Sequence, residues 1–179
     1  AALLEQLGVK SDAASAYPAD AQLVIIGPGA KEDGAKAFAE KGGRILVLPR
    51  KDAFLGVSIV KKSDCRGSLS VPDWPEAAGL SASDMRWKST WEADLLGSGE
   101  GVELGADGFL GRLKVGKGVI VFCQFDPRAL PADQKTYFRY TRWRQTRALS
   151  QVLANMGVSF CQDERQMQLL QQPEHPVYL

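Results

Sequence analysis

The sequence predicts an α/β fold: a doubly wound, mostly parallel sheet with helices on both faces and an antiparallel edge hairpin. The apolar run 22–26, the amphipathic segment 31–41 and the apolar run 44–48 follow one another. This order predicts a βαβ unit, whose crossover should be right-handed. Two β-prone runs joined by Gly116–Gly118 predict the hairpin, and residues 133–155 predict one long helix. An alternation of this kind is typical of a doubly wound sheet.

The first elements are marked by glycine and proline. Leu3, Leu4 and Leu7 form a short helical stripe that ends at Gly8. Runs 22–26 and 44–48 are continuously apolar, as in strands buried on both faces. The helix between them should end at two glycines, which adopt left-handed backbone at low cost.

The middle of the chain, residues 50–100, is less regular. Residues 57–60 and 68–71 could form short strands, and Ser81 is a typical N-cap for a helix that follows it. After this region, residues 109–115 alternate apolar and polar side chains and residues 119–125 are strongly β-prone. The buried face of the last helix is predicted to consist of Thr141, Gln145, Ala148, Leu149, Val152, Leu153 and Met156.

Length and composition are those of one globular domain. The 179 residues are 45% hydrophobic and 24% charged, with a formal net charge of +1. We expect a single domain over residues 1–165 and an extended tail or linker over 166–179. No apolar run reaches the ~20 residues of a membrane span, and a net charge near zero favours neither nucleic acid nor anionic lipid as a partner.

Residues for metal or cofactor chemistry are scarce. Cys65, Cys123 and Cys161 are odd in number and widely spaced without a CxxC pair, which argues against a disulfide framework or a zinc site. The single histidine, His175, excludes a two-histidine metal site. We therefore predict no metal, no cofactor and no catalytic residue. Cys123 lies in an apolar run and is interpreted as a core residue.

Two glycine-rich segments resemble phosphate-binding loops incompletely. Gly27–Gly29 lies between a predicted strand and a helix, but Glu32 and Asp33 at the helix start would repel a phosphate. The segment GRLKVGKG at residues 111–118 lacks the final serine or threonine of a P-loop and lies in the predicted hairpin. Neither segment predicts a nucleotide site.

Three tryptophans, Trp74, Trp87 and Trp91, fall close together in the sequence. As an exposed platform they could stack on the apolar faces of sugar rings, which would make the chain a carbohydrate-binding module. Tryptophans in a small domain more often pack into a core or an edge. Both interpretations stay open, and carbohydrate is one candidate partner.

The long helix carries four arginines among its aromatic residues. Arg139, Arg142, Trp143 and Arg147 are predicted to lie opposite its apolar face. Such a face suits an acidic sugar, nucleic acid or a neighbouring domain. The alternative is a solvated face whose arginine stems cover aromatic rings. The first residue falls within a helical pattern, which favours an origin in a longer polypeptide, and so an interdomain contact.

Five segments within residues 20–160 carry a resemblance to known proteins, and they read LVIIGPGA, AFAEKGGRILVLPR, AAGLSASDMRW, GKGVIVFCQFDPRAL and RYTRWRQTRALSQVLANMG. In these segments the chain resembles the glutamine-amidotransferase-like (flavodoxin-like) accessory domain of bacterial glycoside hydrolases, which include family 2 and β-galactosidase-like enzymes. True glutamine amidotransferases carry a cysteine on a sharp turn after a strand and a late His-Glu pair. Here Pro49 and Arg50 follow the strand, and no histidine matches.

The resemblance therefore implies a non-catalytic accessory domain, so that this domain alone is not an enzyme. It implies contacts with other domains of the same polypeptide, with a second copy of the chain as a further candidate partner. It also implies a periplasmic or secreted enzyme. The residues themselves leave the compartment and the oligomeric state open.

Overall fold

The computed structural model describes residues 2–130 and 136–161, and of residues 136 and 137 only the backbone. Four α-helices lie in this part of the chain: α1 (Ala2–Gln6), α2 (Ala35–Glu40), α3 (Ala82–Met85) and α4 (Thr136–Asn155). Its strands are β1 (Leu23–Ile26), β2 (Arg44–Val47), β3 (Ile59–Gly67), β4 (Arg86–Leu96), β5 (Glu103–Gly105), β6 (Leu110–Val115) and β7 (Gly118–Cys123). Single 3₁₀ turns lie at Pro75–Ala77 and Ala106–Gly108.

A five-stranded mixed sheet has the order β1-β2-β7-β6-β5. Strands β1, β2 and β7 are parallel, whereas β6 is antiparallel to both β7 and β5. The predicted α/β class, the βαβ unit and the β6–β7 hairpin are confirmed. The hairpin, however, was expected at the edge of the sheet. Its strand β7 lies at the centre, because the short strand β5 adds to β6 and forms the edge.

The central strands are buried on both faces, as their continuous apolar runs predict. Ile45, Leu46 and Val47 of β2 are all at most 2% exposed, and so are Ile120 and its successors in β7. Alternate residues of these strands join one core cluster with Ala35 and Ala39 of α2. Helix α2 thus covers one face of the parallel part of the sheet.

Strands β3 and β4 form a separate antiparallel pair, which was not predicted from the sequence. The irregular middle of the chain was expected to hold short strands at 57–60 and 68–71. Instead β3 runs through Lys61–Arg66, and residues 68–71 are not strand. Polar residues occupy most of β3, so the segment lacks the alternation of apolar and polar residues that would predict a strand.

Helix α4 presents the predicted apolar face to the core. All seven residues of that face are at most 2% exposed: Thr141, Gln145, Ala148, Leu149, Val152, Leu153 and Met156. The helix packs against α3 and β4, and Asn155 at its end donates to the carbonyl oxygens of Glu76 and Ala78 at 3.0 and 2.8 Å. These contacts fix which side of α4 faces outwards.

The chain divides into two units by its internal contacts: Ala14–Gly157, and Ala1–Ala13 together with Val158–Leu179. Within the second, the backbone amide of Cys161 donates to the carbonyl oxygen of Gly8 at 2.7 Å. The predicted boundary at residue 165, the tail 166–179 and His175 lie outside the described residues. That domain division therefore stays a prediction.

Candidate functional site

The outward face of α4 carries exposed aromatic and basic side chains. Tyr140 is 59% exposed and Trp143 is 64% exposed, the largest exposures of aromatic residues in the described chain. Arg139 is exposed beside them. The helix contains four arginines and no aspartate or glutamate. We call Arg139, Tyr140 and Trp143 the α4 face.

Strand β4 extends this positive surface. A shallow cavity of about 230 Å³ opens between β4 and α4, with Lys88, Tyr140, Thr141 and Arg144 around it. The guanidinium of Arg144 donates to the carbonyl oxygen of Arg86 at 2.7 Å. The sequence does not predict this contribution, because the proximity of β4 to α4 follows from tertiary packing.

Two of the four predicted interface residues are partly engaged within the domain. Arg147 forms an ion pair with Asp84, whose side chain is 8% exposed. Asp84 also accepts a hydrogen bond of 2.9 Å from the backbone amide of Ser81 and completes the capping box that starts α3. Arg142 is half-buried, and its Nη2 lies 3.5 Å from the carbonyl oxygen of Leu130. Of the four predicted interface residues, Arg139 and Trp143 are therefore the ones most accessible to a partner.

The tryptophans do not form one exposed platform. Trp87 is 2% exposed, so its predicted role in stacking on a sugar is wrong. Its ring packs on Trp91 with centroids 4.2 Å apart and meets Phe109 edge-on at 5.0 Å. Residues four apart in a regular strand stand ~13 Å apart. The irregular register of β3 and β4 near Trp91 bends the strand and brings these two rings together.

Trp74 belongs to a different cluster. The guanidinium of Arg112 lies over its ring, 4.9 Å from the centroid, and forms a 2.7 Å ion pair with Glu103. Glu76 lies 3.6 Å from the same guanidinium. Hydrogen bonding by Arg112 lowers the pKa of the Glu103 carboxyl. Trp74 and Trp91 are half-buried, and sugar binding by either stays a prediction.

The carboxyl ends of the parallel strands hold buried polar groups. After β2, the backbone amide of Arg50 donates to Oε1 of Gln124 at 2.9 Å, and Nε2 of Gln124 donates back to the Arg50 carbonyl oxygen at 2.9 Å. The guanidinium of Arg50 pairs with Asp52 and lies 4.3 Å from the centroid of the Phe54 ring. These contacts fill the turn at which the resemblance would place a nucleophile.

The thiols of the core are poorly suited to nucleophilic chemistry. Cys65 and Cys123 are buried, whereas Cys161 is exposed. Burial raises the pKa of the Cys123 thiol to about 12, so that almost none of it is thiolate at neutral pH. Among the described residues, no three His, Cys, Asp or Glu side chains are grouped to hold a metal ion, and no helix is long and apolar enough to span a membrane.

No family model matches the sequence, and no curated protein matches it. Among solved structures, the chain is similar to a β-galactosidase from Rahnella at 13% identity and a TM-score of 0.48, over 88% of this chain and 26% of that one. It is similar to a cytoplasmic protein from Salmonella typhimurium at 11% identity and a TM-score of 0.45, over 76% of both chains. An exo-β-1,4-mannosidase from an Opitutaceae bacterium is 16% identical with a TM-score of 0.40, over 79% of this chain and 26% of that one.

These structural neighbours thus include glycoside hydrolases. The chain spans about a quarter of the length of each of the two named here, at 26%.

Proposed function

We propose that this chain is a non-catalytic accessory domain of a larger glycoside hydrolase and acts through contacts with other domains of the same polypeptide. The observation that carries the proposal is the α4 face, where Arg139, Tyr140 and Trp143 are exposed on a helix without acidic residues. Arginine and large aromatic residues are enriched at protein interfaces and dominate their energetics. The glycoside hydrolase context comes from the sequence resemblance.

The turn after β2 supports a role without catalysis. Pro49 and Arg50 occupy the position where the resemblance would require a nucleophilic cysteine, and both are buried. Gln124 holds the Arg50 backbone through two hydrogen bonds of 2.9 Å. A nucleophile must be exposed to its substrate and activated by a neighbouring base. At this turn the Arg50 backbone is instead hydrogen-bonded to Gln124, and the Arg50 guanidinium is paired with Asp52.

The charge of the α4 face indicates an acidic partner surface. The whole chain carries 22 basic and 21 acidic residues, so its positive and negative charges nearly balance. On α4 they do not balance, and Arg86 and Lys88 of β4 add further positive charge. Complementary potentials favour a correct partner and repel like-charged surfaces. We therefore expect carboxylates of a neighbouring domain to meet Arg139, with Trp143 buried beside them.

The test is a double variant, Arg139→Glu with Trp143→Ala, in the full-length polypeptide. Neither side chain is buried in the domain, so its own stability should change by no more than about 0.5 kcal/mol. Limited proteolysis at the domain boundary should become about tenfold faster, because an interface anchor and a charge pair are lost. Lys36→Glu, an exposed charge reversal on α2, is the matched control. Unchanged proteolysis, or equal acceleration in the control, would contradict the proposal.

Arg147→Glu should be avoided in this test. It would place a carboxylate beside Asp84, which is 6% exposed, and would weaken α3 as well as any interface. The non-catalytic role has a separate test. The 179-residue chain should release no chromophore from nitrophenyl β-galactosides or β-mannosides, and turnover by the purified chain would overturn that role.

A further inference from the structure

A cavity opens at the amino ends of β1 and β2. Its volume is about 550 Å³, and it opens between the segment Tyr17–Gln22 and helix α2. Ligand pockets typically enclose ~300–1,000 Å³ and combine apolar walls with a few polar groups. The cavity shares no lining residue with the α4 face, so an inference about it is independent of the proposed contact surface.

Two aromatic rings form one wall of the cavity. Tyr17 and Phe38 pack with centroids 5.6 Å apart and planes inclined at 36°. Both rings lie directly on glycine backbone: a Cβ atom at Gly43 would be 2.2 Å from the Phe38 ring, and one at Gly34 would be 3.1 Å from the Tyr17 ring. A side chain at Gly43 would displace the Phe38 ring, and one at Gly34 would press on the Tyr17 ring. The two glycines therefore allow the Tyr17 and Phe38 rings to pack closely against the backbone along one side of the cavity.

The rim of the cavity carries polar side chains that have no hydrogen-bond or ion-pair partner among the described residues. Asp20, Gln22 and Lys41 line it, together with Arg44 at the start of β2. Within the described residues, none of these four side chains makes a hydrogen bond or an ion pair. The Arg44 guanidinium instead lies beside Gly157, at the carboxyl end of α4, where a positive charge is favourable. Donors and acceptors thus surround one cavity without being used by the fold.

The donors and acceptors around the cavity limit the chemical class of ligand that can bind there. Lys41 only donates, Asp20 only accepts, and Gln22 and Tyr17 do both. Burial first, and then the nearby Asp33 carboxylate, raise the pKa of the Tyr17 phenol, which therefore stays a neutral donor and acceptor. An anion without hydroxyl groups could pair with Lys41 and Arg44 but would offer no donor to the Asp20 carboxylate, and a flat aromatic ligand would leave the mixed rim unpaired. Sugar hydroxyls, which donate and accept, satisfy both kinds of group.

We infer that this cavity binds a short neutral saccharide, with an apolar ring face against Tyr17 and Phe38 and hydroxyl groups hydrogen-bonded to Asp20, Gln22 and Lys41. This site differs from the tryptophan platform that the sequence suggested. Its residues come from the segment before β1 and from the end of α2, and no tryptophan lines it. Tryptophan fluorescence would therefore not report on it.

The test is a titration of the 179-residue chain, labelled with ¹⁵N at glycine, with cellobiose, β-1,4-galactobiose and β-1,4-mannobiose. The amide signals of Gly34, Gly42 and Gly43 should shift saturably with at least one of them, with a Kd of about 1 mM or tighter. Asp20→Ala and Gln22→Ala should each weaken binding about tenfold, since each removes a hydrogen bond to a sugar hydroxyl. Both side chains are exposed, so the variants should fold normally.

Two controls separate this site from the rest of the surface. Asp73→Ala removes an exposed carboxylate that does not line the cavity and should leave the Kd unchanged. Trp143→Ala should also leave it unchanged, which separates sugar binding from the α4 face. Absence of saturable shifts with all three disaccharides would overturn the inference. So would tighter binding of digalacturonate than of the neutral sugars, or a Kd that Asp20→Ala and Gln22→Ala leave unaltered.

Discussion

Polar side chains at the two ends of the parallel strands differ in burial and in hydrogen bonding. At the carboxyl end, Gln124 has three hydrogen bonds to backbone groups, with Arg50 N and O at 2.9 Å and Asp94 O at 3.2 Å. At the amino end, Gln22 and Lys41 make no side-chain hydrogen bond within the described residues. The glutamine at one end is buried, and the glutamine at the other end is exposed.

This difference bears on where a ligand can bind. Open α/β sheets usually bind ligands outside the carboxyl ends of their strands. Here the side chain of Gln124 is hydrogen-bonded to the Arg50 backbone after β2 and to the Asp94 carbonyl oxygen of β4, so its amide has little capacity left for a ligand. At the carboxyl end, Nε and Nη1 of Arg50 have no hydrogen-bond partner among the described residues, but they are buried. At the amino end, Asp20, Gln22 and Lys41 are exposed around the cavity of about 550 Å³. The fold alone would therefore predict a ligand site at the carboxyl end of the sheet, where Gln124 is already hydrogen-bonded.

Thiol reactivity should show the largest difference between the two ends. Burial raises the pKa of Cys123, at the carboxyl end of β7, from an ordinary 9.0 to about 12. At pH 8 its thiolate fraction is then lower by about 10³, since each pKa unit is a factor of ten. In the variant Gln22→Cys, the new thiol should react with iodoacetamide at least about 10³-fold faster than Cys123. Peptide mapping by mass spectrometry gives both rates in one sample.

Cys161 serves as an internal reference in the same experiment, because it is exposed. It should be alkylated at a rate comparable with that of the thiol at position 22. Rapid modification of Cys123 in the folded chain would show that the carboxyl end opens to solvent, and it would remove the contrast between the two ends.

Paired glutamine substitutions should show the next largest effect. Gln124→Ala leaves the Arg50 amide, the Arg50 carbonyl and the Asp94 carbonyl without their partner, and it should lower the free energy of unfolding by about 2–4 kcal/mol. Gln22→Ala, the same change at the exposed end, should alter it by no more than about 0.5 kcal/mol. Urea unfolding followed by far-UV circular dichroism measures both. Equal losses in the two variants would contradict the assignment of Gln124 to the fold.

Much of the fold could be predicted from the sequence, because its signals are local. The apolar runs of β1, β2 and β7 indicate buried strands, and the seven-residue apolar face of α4 lies where its periodicity places it. Strand β4 was missed, because its residues Arg86–Leu96 mix charged, polar and aromatic side chains without alternation. Its pairing with β3 depends on residues distant in sequence, and composition does not report such pairing.

The candidate sites were harder to predict than the fold. The exposure of Arg139 and Trp143 follows from the helical period and was predicted correctly. The ion pair of Arg147 with Asp84 joins residues that are far apart in the sequence, so it was not predicted. Trp87 and Trp91 were candidates for a platform because they lie near each other in the chain, but the bend in β4 packs them together. Nothing in the sequence marks Tyr17 or Gln22 as part of a binding cavity.

The smallest expected effect concerns Arg50, whose Nε and Nη1 are buried without a hydrogen-bond partner among the described residues. The Arg50 side chain also donates a hydrogen bond to Asp52, which lowers the pKa of that carboxyl below its ordinary 3.8. Arg50→Met keeps a long side chain over Phe54 and removes a buried charge, an exchange that often leaves stability nearly unchanged. At pH 7 we expect a change in the free energy of unfolding within about 1 kcal/mol.

The sign of the pH dependence distinguishes this outcome from a neutral surface change. Because the pKa of Asp52 is lower in the folded chain than in the unfolded chain, the pair stabilises the fold above pH 3.8 and loses that contribution as the pH falls below it. In Arg50→Met, the Asp52 pKa should rise towards its ordinary 3.8, as measured by NMR titration of its carboxyl carbon. The acid limb of the unfolding midpoint should flatten accordingly. A pKa that stays low in the variant would mean that another group holds Asp52, and the carboxyl end would then be closed by contacts other than those of Arg50.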